Sequence, residues 1–349
     1  MKKIGILEAV RGFAATYVFA GHLLLSNFPE TARWTILLRF GQEAVMIFFV
    51  LSGFVIMYST ETSSDKSFRT YIGRRFFRIY PIFLFALVLS YALSGKWSFE
   101  LPSLIGNVFM LQDFGYGKPG VLFGPFEGNL PLWSLSYEWW FYLMFFPLYR
   151  FVAERMQLPI ITAASVFAVV SYNATYFQPF LFIAYFPLWW TGVEIGRAIA
   201  HQQPIPFERI MLALGTVSAT FGVYVIVGLA NSHQLFFGIH PVLELRHALA
   251  TTAIVGWLFV HRRFGIQRLD WLIKPFAAVA PISYGIYALH YPIVNSAFAI
   301  SLPLVVRMPV IILAVLAVAW FAEIAYQRFV LRLRKLGRAD KVIDAGIVA

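Results

Sequence analysis

The chain alternates between long apolar stretches and short polar or Gly/Pro-containing breaks. Each stretch has about the length a bilayer-spanning helix needs, roughly 20 residues. Ten are placed at about 4–25, 41–60, 79–95, 132–150, 158–173, 179–197, 209–230, 242–261, 276–298 and 305–327. The run Met156–Val193 contains no Asp, Glu, Lys or Arg and is too long for one helix. Ser171-Tyr172-Asn173 and Gln178-Pro179 supply the turn that divides it. The expected fold class is an all-α polytopic membrane protein with about ten transmembrane helices.

Composition supports this reading. Hydrophobic residues make up 60% of the 349 and charged residues 13%, against about 45–50% and about 25% in soluble domains. A soluble fold of this size would expose large apolar patches. Absence of cysteine excludes disulfides and thiolate metal sites, and no metal is expected. Met1-Lys2-Lys3 before an apolar run has the look of a signal peptide. Glu8 and Arg11 interrupt that run and no small-residue cleavage site follows, so it is read as a retained first span.

The net charge of +11 would suggest nucleic acid in a soluble protein. Here it reads as topology, because Lys and Arg concentrate in cytoplasmic loops. With both termini cytoplasmic, 21 of the 28 basic residues fall inside and five (Arg33, Arg39, Lys96, Lys118 and Arg307) outside, with Arg11 and Arg246 within spans. Nucleic acid is therefore not an expected partner, whereas membrane lipids are. Residues 1–349 form one membrane-embedded domain with a basic tail from about 328 to 349. The longest segment between spans, about 96–131, is rich in Gly, Pro and aromatics and lies on the outer side; loops this long are usually functional.

Ionisable groups inside a bilayer are costly and mark candidate sites. Arg11 and His22 are eleven residues apart, three turns and about 20°, so they share a helix face about 16 Å apart along the axis. Glu138, in Trp133-Ser134-Leu135-Ser136-Tyr137-Glu138, is expected at a depth similar to His22. There it would orient the imidazole of a general base, or serve structurally against Trp or Tyr. Arg69, Arg74, Arg75 and Arg78 cluster before the third span. Guanidinium forks suit phosphate oxygens, and a plain positive-inside cluster is the competing reading. Glu43 and Ser52 lie on the second span, with no nucleophile-elbow motif around Ser52. Tyr284, Tyr287 and His290 share the ninth span, where Tyr287 reads as an aromatic anchor.

Five segments together resemble the acyltransferase-3 family of integral membrane acyltransferases: Arg11-x10-His22; Gly41–Phe54; Arg74-Arg75-Phe76-Phe77-Arg78-Ile79-Tyr80-Pro81; Trp133–Glu138; and Ser283–His290. They run in the family's order. Two features differ. The family's tail pattern Tyr-Arg-x-x-Glu-x-Pro is here Tyr326-Gln327-Arg328-Phe329-Val330-Leu331-Arg332, with Glu323 one turn earlier as a substitute, and the esterase-like domain fused to some relatives is lacking. The resemblance implies transfer of an acyl group, usually acetyl, from cytoplasmic acyl-CoA to a hydroxyl of a carbohydrate or lipid-linked glycan, in a bacterial inner membrane. Acyl-CoA is then a co-substrate and no cofactor is permanently bound. It implies His22 and Glu138 as catalytic and Arg11, Arg74, Arg75 and Arg78 as donor-binding. Glu43, Ser52, Trp133, Ser136, Tyr284 and His290 are further pocket candidates. A transporter or flippase of a lipid-linked sugar is the alternative class.

Overall fold

The structure is a computed structural model that describes residues 5–28, 33–232, 234–265, 270–296 and 301–332. Of the residues read above, Lys2, Lys3, Arg268 and the tail from 333 lie outside this set. The described residues are helical, with one isolated bridge between Gln112 and Phe123. Helix α1 is Gly5–Leu25, α2 Gly41–Glu61, α3 Phe68–Leu93, α4 Leu101–Val108, α5 Trp133–Phe151 and α6 Glu154–Thr175. The remainder are α7 Pro179–Ala200, α8 Phe207–Ala230, α9 Val242–Phe264, α10 Asp270–Ile273, α11 Ser283–Val294 and α12 Leu304–Trp320. A π-helical turn, Phe321–Tyr326, continues α12.

On length and apolarity six of these segments suffice to cross a membrane, or seven if the bent pair Asp270–Ala278 and Ala280–Val294 counts as one span. That is fewer than the ten expected. The remaining expected spans fall on α1, α5 and α7, helices of 21, 19 and 22 residues. The physical reason lies in what each helix touches. Seventeen residues of α7 are buried, including Trp189 and Trp190. A helix surrounded by protein tolerates Trp, Tyr, Pro and charge, whereas a helix facing lipid must be aliphatic. On α12 only Ile311, Val315 and Ala319 are buried, and its outward positions are mostly Val, Leu and Ile, with Trp320 at its end.

Two expected boundaries shift. Helix α3 begins at Phe68, not near 79, with Ser67 as N-cap accepting from the Thr70 amide. The arginine cluster therefore sits on helix. Hydrophobicity alone starts the span later, because the first turns are charged. The ninth span is broken near Val279–Pro281 and bends by 52°. Proline removes a backbone donor there.

The core is built on α2 against α7. A Cβ on Gly192 would lie 1.9 Å from the Val50 carbonyl oxygen, and one on Gly53 2.2 Å from that of Trp189. Small residues let the two backbones approach closely. Around this contact Tyr137, Phe141, Phe145, Tyr185, Phe186, Trp189 and Trp190 pack edge to face or stacked. Segment 94–132 is pinned by a fully buried pair, Lys118 Nζ to Asp113 at 2.9 Å. Tyr137 donates to the same carboxylate at 2.6 Å.

Gly192→Val forces the α2–α7 backbones apart, and overpacking of this kind costs about 1–3 kcal/mol. Thermal unfolding in detergent is expected to show a lowered Tm. Gly215→Ala, where a Cβ meets open space, is expected to leave it unchanged or slightly raised.

Candidate active site

The loop before α3 prepares the arginine cluster. Asp65 accepts from the Ser67 amide at 2.9 Å and the Thr70 hydroxyl at 2.5 Å. These bonds, that from Thr70 foremost, hold its carboxyl at about 2, below the usual carboxylate range. The anion sits at the N-terminus of α3, where the helix dipole favours it. Arg74, one helical turn on, donates to Ser63 at 3.0 Å.

Beyond this loop lies a cavity of about 430 Å³ among α1, α2, α3, α5 and α11. Arg11, Arg74, Arg75 and Arg78 all line it, with Ser52, Glu138, Tyr142, Ser134, Tyr284 and Tyr287. Arg75 is buried, donates to Ser59 at 2.8 Å and to the Tyr71 carbonyl at 3.3 Å, and lies 4.4 Å over the Tyr71 ring. Arg78 is held by Glu323 of the π-helical turn at 2.7 and 3.4 Å. The same carboxylate accepts from the Gly285 amide at 3.2 Å. Nearly half the Arg78 side chain stays accessible. Arg11 donates to the Ala280 carbonyl at 3.2 Å, and its Nε is buried without a partner.

A second cavity, about 210 Å³, holds His22. Its wall includes Gln42, Val45, Trp133 and Tyr287, and Phe114, Leu130 and Pro131 from segment 94–132. The shared face of α1 thus has Arg11 in one cavity and His22 in the other. Tyr287 lines both. Its hydroxyl donates to the Pro131 carbonyl at 2.7 Å and lies 2.7 Å from Ser134 Oγ, so this buried residue, expected to be an aromatic anchor, stands between the two cavities.

The expected pairing of Glu138 with His22 is not what the structure brings together. Glu138 accepts from Ser52 at 2.5 Å and from Tyr142, in the arginine cavity. Trp189 Nε1 donates to Ser52 at 3.2 Å. Equal depth does not imply a shared face: Glu138 is directed to α2, and His22 to α11. The His22 ring centre lies 5.3 Å from that of His290 and 5.0 Å from that of Tyr291. Ser136 lines neither cavity; it donates to the Gln112 and Trp133 carbonyls, both at 2.7 Å. Glu43 is paired with Arg246. Tyr284 donates to the Ile79 carbonyl at 3.0 Å. Residues with no role in the sequence-based site are Tyr142, Ser59 and Gln42; their types are too common in such helices to be picked out by pattern.

The geometry defines two adjoining cavities in the helical bundle, one with four arginines and the other with His22 and Arg39, with Tyr287 on the wall of both. The acyltransferase-3 family model, described as an acyltransferase domain, matches residues 4–324, and the chain belongs to that family. It is similar to acyltransferase MdmB of Streptomyces mycarofaciens, 36% identical over 163 residues, which cover 42% of this chain and 40% of that protein. It is 24% identical to O-acetyltransferase OatA of Staphylococcus aureus over 95% of this chain, though 57% of OatA's length. Nodulation protein 10 of Rhizobium leguminosarum bv. viciae is 26% identical over 84% of both chains. No solved structure matches the chain.

The cysteine-free sequence allows a direct check of the partition. With Val55→Cys in the arginine cavity and Leu38→Cys in the histidine cavity, an impermeant maleimide is expected to label each from opposite faces of sealed vesicles. Adding Tyr287→Ala is expected to let Val55→Cys react from both. Labelling from both faces while Tyr287 is intact would show one open channel.

Proposed function

We propose that this protein is an integral membrane O-acyltransferase that moves an acyl group, acetyl by first expectation, from cytoplasmic acyl-CoA to a hydroxyl of a carbohydrate or lipid-linked glycan. The observation that carries this reading is the placement of polar groups: Arg11 of α1 with Arg74, Arg75 and Arg78 of α3 around one cavity, His22 of α1 in the next, and Tyr287 common to both. About 430 Å³ lies within the range of small-molecule sites. Guanidinium forks match phosphate oxygens, and Arg78 is oriented by Glu323 while keeping accessible surface. The positive-inside distribution supports ten spans, cytoplasmic termini and an arginine cavity open to the cytoplasm, in a bacterial inner membrane. A relative named as an O-acetyltransferase matches 95% of the chain, which supports acetyl and a hydroxyl acceptor.

In the mechanism, Arg75, Arg78 and Arg11 hold the donor's phosphates and the pantetheine arm extends along the Arg11–His22 face. The rise between those residues, about 16 Å, is comparable to that arm. His22 takes the proton of the acceptor hydroxyl as its oxygen attacks the thioester carbonyl. The tetrahedral intermediate expels CoA thiolate, which receives that proton, so ester and CoA thiol leave. Glu138, with Ser52 and Tyr142, offers a hydrogen-bonding wall along the arm's path.

The test uses the purified protein in nanodiscs with labelled acetyl-CoA and a hydroxyl-bearing glycan. Release of CoA that depends on the acceptor is expected, and His22→Ala is expected to lower it by about 10²–10⁴-fold, the usual contribution of a positioned base. Arg78→Ala is expected to raise the donor KM roughly tenfold, about 1.4 kcal/mol, with a smaller change in kcat. Full transfer by His22→Ala, or glycan movement across the membrane without CoA release, would overturn the proposal.

A further inference from the structure

The cavity around His22 holds no carboxylate among its lining residues, and no hydrogen bond to the His22 ring is seen among the described residues. A general base of this kind ordinarily has a partner that fixes its tautomer. The neighbouring α11 supplies another candidate. His290 is fully buried. Its Nδ1 lies 2.8 Å from the Ile286 carbonyl oxygen. A carbonyl only accepts, so Nδ1 carries the proton, and in the neutral ring Nε2 is left as a bare acceptor. That Nε2 is buried and has no partner, an arrangement unfavourable in a protein interior. The ring centres of His22 and His290 are 5.3 Å apart and their planes are tilted by 37°. An N–H···N bond of about 3 Å between two imidazole edges places the ring centres about 5 Å apart.

From this geometry we infer that His290 is the positioning residue of His22, its Nε2 accepting the N–H of the His22 nitrogen that does not face the acceptor. The inference rests on the acyl-transfer reading above. It gives His290 the orienting role that the sequence suggested for Glu138. The structure shows this bond unmade; once the two rings turn edge to edge, it fixes the His22 tautomer with its lone pair toward the second cavity. When His22 takes the acceptor's proton, the imidazolium keeps its other N–H on His290. When CoA thiolate recovers the proton, both rings return to their starting forms. Phe19, whose ring centre is 5.8 Å from His290, and Tyr291, 5.0 Å from His22, close the two rings off on either side. In its neutral form His290 orients the base without placing a further charge in the membrane interior.

Two substitutions separate positioning from packing. His290→Asn keeps a donor for the Ile286 carbonyl but has no atom at the ε position. His290→Gln reaches the ε position with an acceptor and gives up the local bond. With both variants in nanodiscs, folded as judged by thermal unfolding and acetyl-CoA binding, His290→Asn is expected to lower kcat about tenfold or more with donor KM unchanged. His290→Gln is expected to stay within about threefold of the parent. Equal losses in the two, equal retention in both, or a loss confined to His290→Gln would overturn the role. The control is His22→Ala: if it transfers acyl groups normally, the acyl-transfer reading itself fails. If it is inactive while the Asn and Gln variants behave alike, only the inference about His290 fails.

Discussion

Carrying a charge into hydrocarbon is expensive, and the helices are arranged around the places where that cost is met. Arg78 of α3 is tied to Glu323 after α12, and Glu323 also caps the Gly285 amide on α11. One carboxylate thus joins three helices at the bottom of the arginine cavity. The π-helical turn Phe321–Tyr326 that carries it fits the occurrence of such turns at functional positions. Arg197 is matched in the same manner by Glu194 and Gln157 at 2.9 and 2.5 Å, and Lys118 by Asp113. Removing one partner of such a pair leaves an uncompensated buried charge, which costs more than the pair itself contributes. The hydrogen bonds seen for Arg75 and Arg11 go instead to neutral oxygens of Ser59, Tyr71 and Ala280. Their charge is the less compensated, and it faces the cavity.

A second constraint divides the helices by chemistry. Those at the centre, α5 and α7, are aromatic and carry polar groups, because protein surrounds them and supplies hydrogen-bond partners. Trp190 donates to Glu194 at 2.9 Å and Tyr185 lies 2.8 Å from His247 Nδ1. Those at the edge, α8 and α12, keep largely aliphatic outer faces, with Leu212 and Val305 among the most exposed side chains and Trp320 at the end of α12. The cavity-lining α2 and α3 are about as apolar as the peripheral helices, so bulk apolarity reveals the membrane protein while only its few charged positions mark the site.

This division sets what could be read from residues alone. Helix positions were legible because a bilayer imposes length. The arginine cavity was legible because Arg11, Arg74, Arg75 and Arg78 are rare residue types in an apolar chain, and the structure has all four lining one cavity. Glu323 was visible as an acid in an otherwise aliphatic run. The partner of His22 was not. Depth along a helix follows from counting, but the face a side chain presents depends on the rotation of its helix about its axis and on which neighbours pack there. Glu138 therefore matched His22 in depth and yet turned toward Ser52. The break near Pro281 places His290 where it does, and no periodicity predicts the direction of that bend.

The separation of the two cavities has a chemical consequence for acyl transfer. A thioester that meets water together with a base is hydrolysed, and excluding water is the means of preventing this. An imidazole placed beside the donor's phosphates would face the cytoplasm and its water throughout the resting state. Here His22 lies about three turns from Arg11 along α1, behind Tyr287, whose hydroxyl is bonded to Pro131 and Ser134. Pro131 belongs to the long segment that also lines the histidine cavity, through Phe114 and Leu130. The tyrosine that bounds the arginine cavity is thus fastened to the wall of the histidine cavity. On the proposed reading, a glycan seated against that wall bears on the same contacts that hold the partition in place. Acceptor arrival and donor entry are then coupled through one side chain, and an idle donor stays apart from the base.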